Sequence, residues 1–175
     1  MKKVIFTVIT LLLCACWMTL AFAEQTEMNE TSELVVGTYE DGTSPILSDV
    51  KLKLTIPGGE VILAMYDNSA VTALLERLPL TDLSFFDLSG LEKPIEQLEE
   101  PLSLGEEEPG YDPVAGEMVI YRPWANFTIF YGDFRYSPEL VPLGIVESGL
   151  DLLAAQTEDF TGVLELLEDE TSPES

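Results

Sequence analysis

Gly116-Glu-Met-Val-Ile-Tyr-Arg-Pro-Trp-Ala-Asn-Phe-Thr-Ile-Phe-Tyr-Gly-Asp-Phe134 is the stretch whose reading decides the fold. Dense β-branched and aromatic residues bounded by Gly and Pro predict two strands, Glu117–Tyr121 and Asn126–Tyr131, joined by a tight corner at Arg122-Pro-Trp-Ala125. Both parities of the first strand are apolar, with Met118 and Ile120 on one side and Val119 and Tyr121 on the other. A strand of that kind is buried on both faces, so one face is expected to fill a barrel interior and the other to lie under a helix.

Working outward, Lys51-Leu-Lys-Leu-Thr-Ile56 alternates polar and apolar, Pro57-Gly-Gly59 supplies turn chemistry, and Glu60–Tyr66 returns as the partner strand of a hairpin. Asp67-Asn-Ser69 offers capping oxygens to a helix carrying Ala70, Val71, Leu74, Leu75 and Leu78 on one face, ended by Pro79. Leu80–Gly90 reads as a strand. Lys93–Leu102 carries helix-forming Glu and Leu, but two prolines seven residues apart favour an extended edge segment. Gly105–Gly116 is a loop with four acids. Leu143–Val146 is a strand, Ser148–Ala155 a short helix with Ser148 as its cap, and Phe160–Glu168 a last strand. Strands outnumber helices and are joined by short turns, which predicts a mainly β fold: a closed or nearly closed antiparallel β-barrel with two short helices.

The chain ends are of a different kind. Lys2 and Lys3 precede an apolar run to about Leu20, and Ala21-Phe-Ala23 is a small-x-small cleavage pattern, so residues 1–23 read as a signal peptide and the protein as exported, to periplasm or outside the cell. An uncleaved membrane anchor is the alternative for the same run. Leu13-Cys-Ala-Cys16 also loosely resembles a lipoprotein box, with anchoring through Cys16 as a further alternative. Residues 24–49 read as a flexible acidic leader, 50–168 as the folded domain and 169–175 as a disordered acidic tail, with Leu34-Val-Val36 as a possible short edge strand. Cleavage leaves 152 residues without cysteine, enough for one domain whose stability comes from its core, and with no membrane span.

The chain carries 8 basic and 32 acidic residues, a formal net charge of −24, and the mature segment stands at −26 once Lys2 and Lys3 are removed. Such a field repels nucleic acid and anionic membrane surfaces. The chain contains no histidine, which removes Ser-His-Asp and Cys-His catalysis and His-based zinc sites. No Gly-rich phosphate loop and no calcium-loop spacing is present, and no spacing singles out a glycosidase pair among the acids. No cofactor and no metal are expected.

Pro109–Gly132 and Val141-Pro-Leu-Gly-Ile-Val-Glu-Ser-Gly-Leu-Asp-Leu-Leu-Ala154, with the opening hairpin and helix, resemble the bacterial cyclophilin-like fold family over about residues 50–167. The resemblance implies a small barrel related to peptidyl-prolyl isomerases. Catalytic cyclophilins use an arginine, a Phe- and Gln-lined strand, a Trp and a His. Here Asn126 and Phe127 stand near the Gln and Phe positions, residues 80–102 hold no arginine, and Tyr136–Val141 occupies the region of the Trp and His. The expected function is therefore non-catalytic binding of a peptide or small ligand. The candidate contact residues are Tyr111, Arg122, Trp124, Asn126, Phe127, Phe134 and Arg135. A divergent isomerase that polarises the imide through Arg122 or Arg135 is the alternative.

Overall fold

The computed structural model describes residues 34–168; the expected signal peptide, the first part of the expected leader and the expected acidic tail lie outside the described residues. In chain order the elements are β1 (Thr38–Tyr39), β2 (Leu47–Ile56), β3 (Gly59–Tyr66), α1 (Ser69–Leu75), β4 (Leu80–Phe85), β5 (Glu92–Pro94), β6 (Tyr111–Asp112), β7 (Glu117–Tyr121), β8 (Asn126–Phe130), β9 (Leu140–Ser148), α2 (Leu150–Ala154) and β10 (Phe160–Leu166). Eight strands form one antiparallel sheet in the order β4-β10-β2-β3-β9-β7-β8-β5. Its two ends meet. Phe85 of β4 bridges to Ile95, just beyond β5, and the Glu96 N–H donates to the Ser84 carbonyl at 2.8 Å. The sheet is thus nearly closed into a barrel, as the sequence predicts.

The hairpin of β2 and β3 sets the register. Pro57 fixes φ at the first turn position, and Gly58, at φ +93°, takes a conformation that disfavours a side chain. Ile56 then faces Gly59, and Leu54 and Leu52 face Val61 and Leu63. These residues fill the barrel with Met118, Ile120, Phe127 and Ile129 of the central hairpin. Phe85 stacks on Phe160 at 4.9 Å between centroids. Asn68 caps α1 by accepting from the Val71 N–H, and Ala70, Val71 and Leu74 enter the core. Because β3 leads into α1, and β9, antiparallel to β3, leads into α2, the helices lie at opposite ends of the barrel.

Several expectations are corrected. The outer face of the central hairpin is not under a helix, since both short helices are taken up by the barrel ends. It is covered instead by the β1–β6 ribbon and the segment 133–138, with Tyr39 and Phe134 packed against buried Tyr111, Val119, Phe130 and Leu140. Of residues 93–102 only Lys93 and Pro94 belong to a strand, β5, and β4 ends at Phe85, before the turn at Asp87–Gly90. The expected loop holds β6, and α2 is entered through Gly149, which donates no side-chain cap, rather than Ser148.

The folded domain also begins before Val50. Residues 34–49 supply β1 and the start of β2, and Leu34 and Val36 pack on Ala64, Tyr66 and Ile145. The clasp is Glu117, fully buried on the outer face. Its Oε1 accepts from the Gly37 N–H at 3.1 Å, the Tyr66 hydroxyl at 2.5 Å and the Tyr111 hydroxyl at 2.6 Å, while Oε2 accepts from the Val114 N–H at 2.8 Å. A Cβ at Gly37 would lie 2.7 Å from Glu117 Oε2 and 2.8 Å from the Tyr111 hydroxyl, so the strap passes this point only as glycine. Burial first, and then the neighbouring carboxylate, raises both phenols well above the ordinary tyrosine range.

A second buried charge sits on β5. Lys93 is fully buried, and its ammonium donates to Asp87 Oδ2 at 2.6 Å and to the Gln156 carbonyl, which ties β5 to the 87–90 turn and the end of α2. The Lys93 ammonium beside Asp87, with the Tyr131 hydroxyl, holds that carboxyl down at about 2.

Candidate functional site

Alternation along β8 sends Phe127 and Ile129 into the barrel and turns Asn126, Thr128 and Phe130 outward. On β5, Glu92 faces Phe130 and Pro94 faces Thr128, so both join the same outer face. The segment 133–138 returns across this surface, and the Trp124 corner closes one end. The result is a groove of about 350 Å³ floored by Glu92, Pro94, Asn126, Thr128 and Phe130 and walled by Tyr121, Trp124, Phe134, Arg135 and Tyr136.

The walls are aromatic and held by their neighbours. Phe134 stacks on Phe130 at 5.0 Å, and Trp124, 48 % exposed, stands edge-on to Tyr121 at 5.5 Å. The Arg135 guanidinium rests 5.2 Å from the Phe134 ring centroid at the exposed rim. The corner beneath Trp124 places Ala125 at φ +48°, where its N–H returns to the Tyr121 carbonyl at 2.9 Å.

The floor is polar and incompletely paired. Asn126 is 1 % exposed, and its amide nitrogen donates to the Ile95 carbonyl, so Oδ1 is the amide atom turned away from that carbonyl. That Oδ1 has no hydrogen-bond partner, nor has the Thr128 hydroxyl, 2 % exposed. Burial raises the Glu92 carboxyl above the ordinary glutamate range. The Thr128 hydroxyl lies near enough to oppose that rise without making a hydrogen bond of ordinary geometry. Unpaired buried polar groups are uncommon in native proteins, where protein groups, ordered water or ions usually pair them. A second, more open depression shares Trp124 and Asn126 and is bordered by Phe86, Ile95, Glu96 and Gln97.

Of the seven candidate residues, four converge here: Trp124, Asn126, Phe134 and Arg135. Three do not. Tyr111 is buried in the Glu117 clasp, Phe127 packs inside the barrel 5.9 Å from Phe85, and Arg122 is ion-paired to Glu139 at 2.5 Å. The sequence reading missed Glu92, Thr128 and Tyr136. Alternation from Asn126 carries the signal for Thr128, whereas Glu92 depends on a three-residue strand that no local pattern announces. Among the described residues no group of three or more acidic, His or Cys side chains is arranged to hold a metal ion, and no helix is long and apolar enough to cross a membrane.

A family model described as the cyclophilin-like family matches residues 54–165. The solution structure of a hypothetical protein from Archaeoglobus fulgidus is similar at a TM-score of 0.53, covering 72 % of this chain and 99 % of that one at 17 % identity, a likeness of fold alone. No curated protein matches the chain in sequence. The family match runs from β2 into β10 and so takes in every strand of the nearly closed sheet. By that match and that barrel, the chain belongs to the cyclophilin-like family.

Proposed function

We propose that the protein is an exported, non-catalytic binding module that holds a peptide or small molecule in the groove between Trp124, Phe134 and the floor of β8. One observation carries this reading: Asn126 Oδ1 and Thr128 Oγ1 are buried, unpartnered and on the groove floor. Leaving such an atom unpaired costs about 1–3 kcal/mol, and a ligand that donates to both recovers that cost while its apolar body covers the aromatic walls. The export part of the proposal rests on Lys2, Lys3, the apolar run and Ala21-Phe-Ala23.

Thermal-shift measurements on the full chain, across a panel of short peptides and small aromatic molecules, test the groove. Hits are expected whose stabilisation falls at least tenfold in apparent affinity in Trp124→Ala and in Thr128→Val. A panel without hits, or hits indifferent to both substitutions, would remove the reading.

Arg135 on the groove wall favours a second reading, a divergent prolyl isomerase in which its guanidinium polarises the imide. The acceptor-rich floor fits that chemistry poorly, because an isomerase of this kind stabilises the twisted imide through donors. In a proline-limited refolding assay, no acceleration is expected at micromolar protein. Acceleration that disappears in Arg135→Ala would establish the enzyme instead.

A further inference from the structure

We infer that the ligand of this groove presents a protonated amine to its floor, with an aromatic or branched apolar body against its walls. The inference rests on the groove being a binding site, as proposed above, and names the chemical class that site takes. The polar side chains of the floor are Glu92, half-buried, and Asn126 and Thr128, both buried. Asn126 commits one amide N–H to the Ile95 carbonyl and leaves Oδ1 without a partner. Glu92 is a carboxyl that no ion pair among the described residues engages. Thr128 contributes one hydroxyl, whose lone pairs remain available whichever way its proton points. The floor is thus richer in free acceptors, two carboxylate oxygens, an amide oxygen and a hydroxyl oxygen, than in donors. An ammonium, with three donors in a compact head, matches three acceptors from three side chains.

A carboxylate-bearing ligand would place its charge against Glu92 with no cation on the floor to balance it. A neutral amide could pair with Asn126 and Thr128, but would forgo the charge-assisted bond to Glu92. A bare metal ion fits less well, because hard cations seek six or more oxygens, usually with several carboxylates, and the floor offers one. The rings of Trp124, Tyr121 and Phe134 add favourable faces for a cation and its carbon body. The formal charge of −24 draws cations toward the protein at long range. Arg135, the cation of the groove, lies at the exposed rim rather than on the floor. It therefore suits ligands with one positive head inside and a neutral or anionic outer end.

Isothermal titration of the full chain at neutral pH with benzylammonium, benzamide and benzoate, near-isosteres that differ in head group, tests this. Benzylammonium is expected to bind about tenfold more tightly than benzamide, the step from a neutral to a charge-assisted hydrogen bond, and benzoate not at all. Glu92→Gln, of the same shape, should bring benzylammonium and benzamide to within twofold. If that variant does not fold, Arg135→Glu should widen the preference for benzylammonium, and an unchanged preference there counts against the inference. An unblocked phenylalanyl dipeptide and its N-acetyl form, added to the series, read whether the amine belongs to a peptide terminus or to a free amine; tighter binding of either amine than of its blocked or amide counterpart supports the inference. Equal affinity for benzylammonium and benzamide, a preference that survives Glu92→Gln, or a response to calcium alone overturns it. In those cases, hits elsewhere in the ligand panel that are lost in Trp124→Ala would leave the groove itself standing. No binding in the series together with an empty panel removes both.

Discussion

Glu117→Ala is expected to lower the unfolding free energy by about 4 kcal/mol or more, because four donors lose one buried acceptor group and each stranded donor costs about 1–3 kcal/mol. Two of the donors are phenols from distant parts of the chain, Tyr66 and Tyr111, and two are backbone N–H groups, of Gly37 and Val114. Glu117→Gln should cost less, since one amide oxygen can still accept where Oε1 does. Its NH₂ group, however, would then face the Val114 N–H, donor against donor. Chemical denaturation gives the magnitudes, and amide hydrogen exchange separates the clasp from general weakening. In Glu117→Gln, protection of Gly37 and Val114 should fall before that of barrel residues such as Leu63. If Glu117→Ala costs under 1 kcal/mol, the clasp is not what holds residues 34–39 to the barrel.

The same network predicts a steep alkaline limit. Tyr66 and Tyr111 each donate a hydrogen bond to Glu117, and burial next to that carboxylate raises both phenols above their value of about 10 in an unfolded chain. Their contribution to stability is therefore complete below pH ~10. Above it the unfolded chain sheds protons that the folded chain retains, so stability falls by about 1.4 kcal/mol per pH unit for each phenol, about 2.7 for the pair. Tyr131, pushed up to about 12 by burial and by its bond to Asp87, adds to the same decline. Denaturant midpoints measured between pH 8 and 12 should hold level to about pH 10 and then drop. Replacing Tyr66 and Tyr111 together by Phe should flatten that drop while lowering the plateau. An unchanged slope in the double variant would show that other groups set the alkaline limit.

The barrel was legible in the sequence because its strands declare themselves locally. Leu52-Lys-Leu-Thr-Ile56 alternates, Pro57-Gly58 fixes a turn, and the doubly apolar Glu117–Tyr121 can only be a strand covered on both faces. What covers it was not legible. The strap shows in the sequence only as a short apolar run, Leu34–Val36, while its two-residue strand falls just beyond at Thr38–Tyr39 and it is held by a carboxylate 80 residues away in the chain. Glu117 itself looks like any of the 32 acids until its four donors are seen together. The groove was half visible for a similar reason. Trp124 and Phe134 stand out as aromatics beside Pro and Gly, and Asn126 follows from the hairpin. Tyr111 carries the same label as a groove aromatic, yet its hydroxyl is drawn to Glu117. Phe127 is one residue from Asn126, and strand parity sends it to the opposite face. Glu92 reaches the floor only through the pairing of β5 with β8, a contact between segments more than thirty residues apart.

The seam at which Phe85 meets Ile95 has a consequence for recognition. An open sheet offers a row of unpaired N–H and C=O groups to which a foreign peptide, or a second copy of the chain, can add itself as one more strand. In this barrel the end strands β4 and β5 spend those groups on each other's flanks, through Glu96 to Ser84 and Phe86 to Pro94. β-augmentation is thereby closed off along that seam. Discrimination falls to side chains rather than to the peptide backbone, and a protein built this way gains resistance to edge-to-edge polymerisation without a disulfide among residues 34–168.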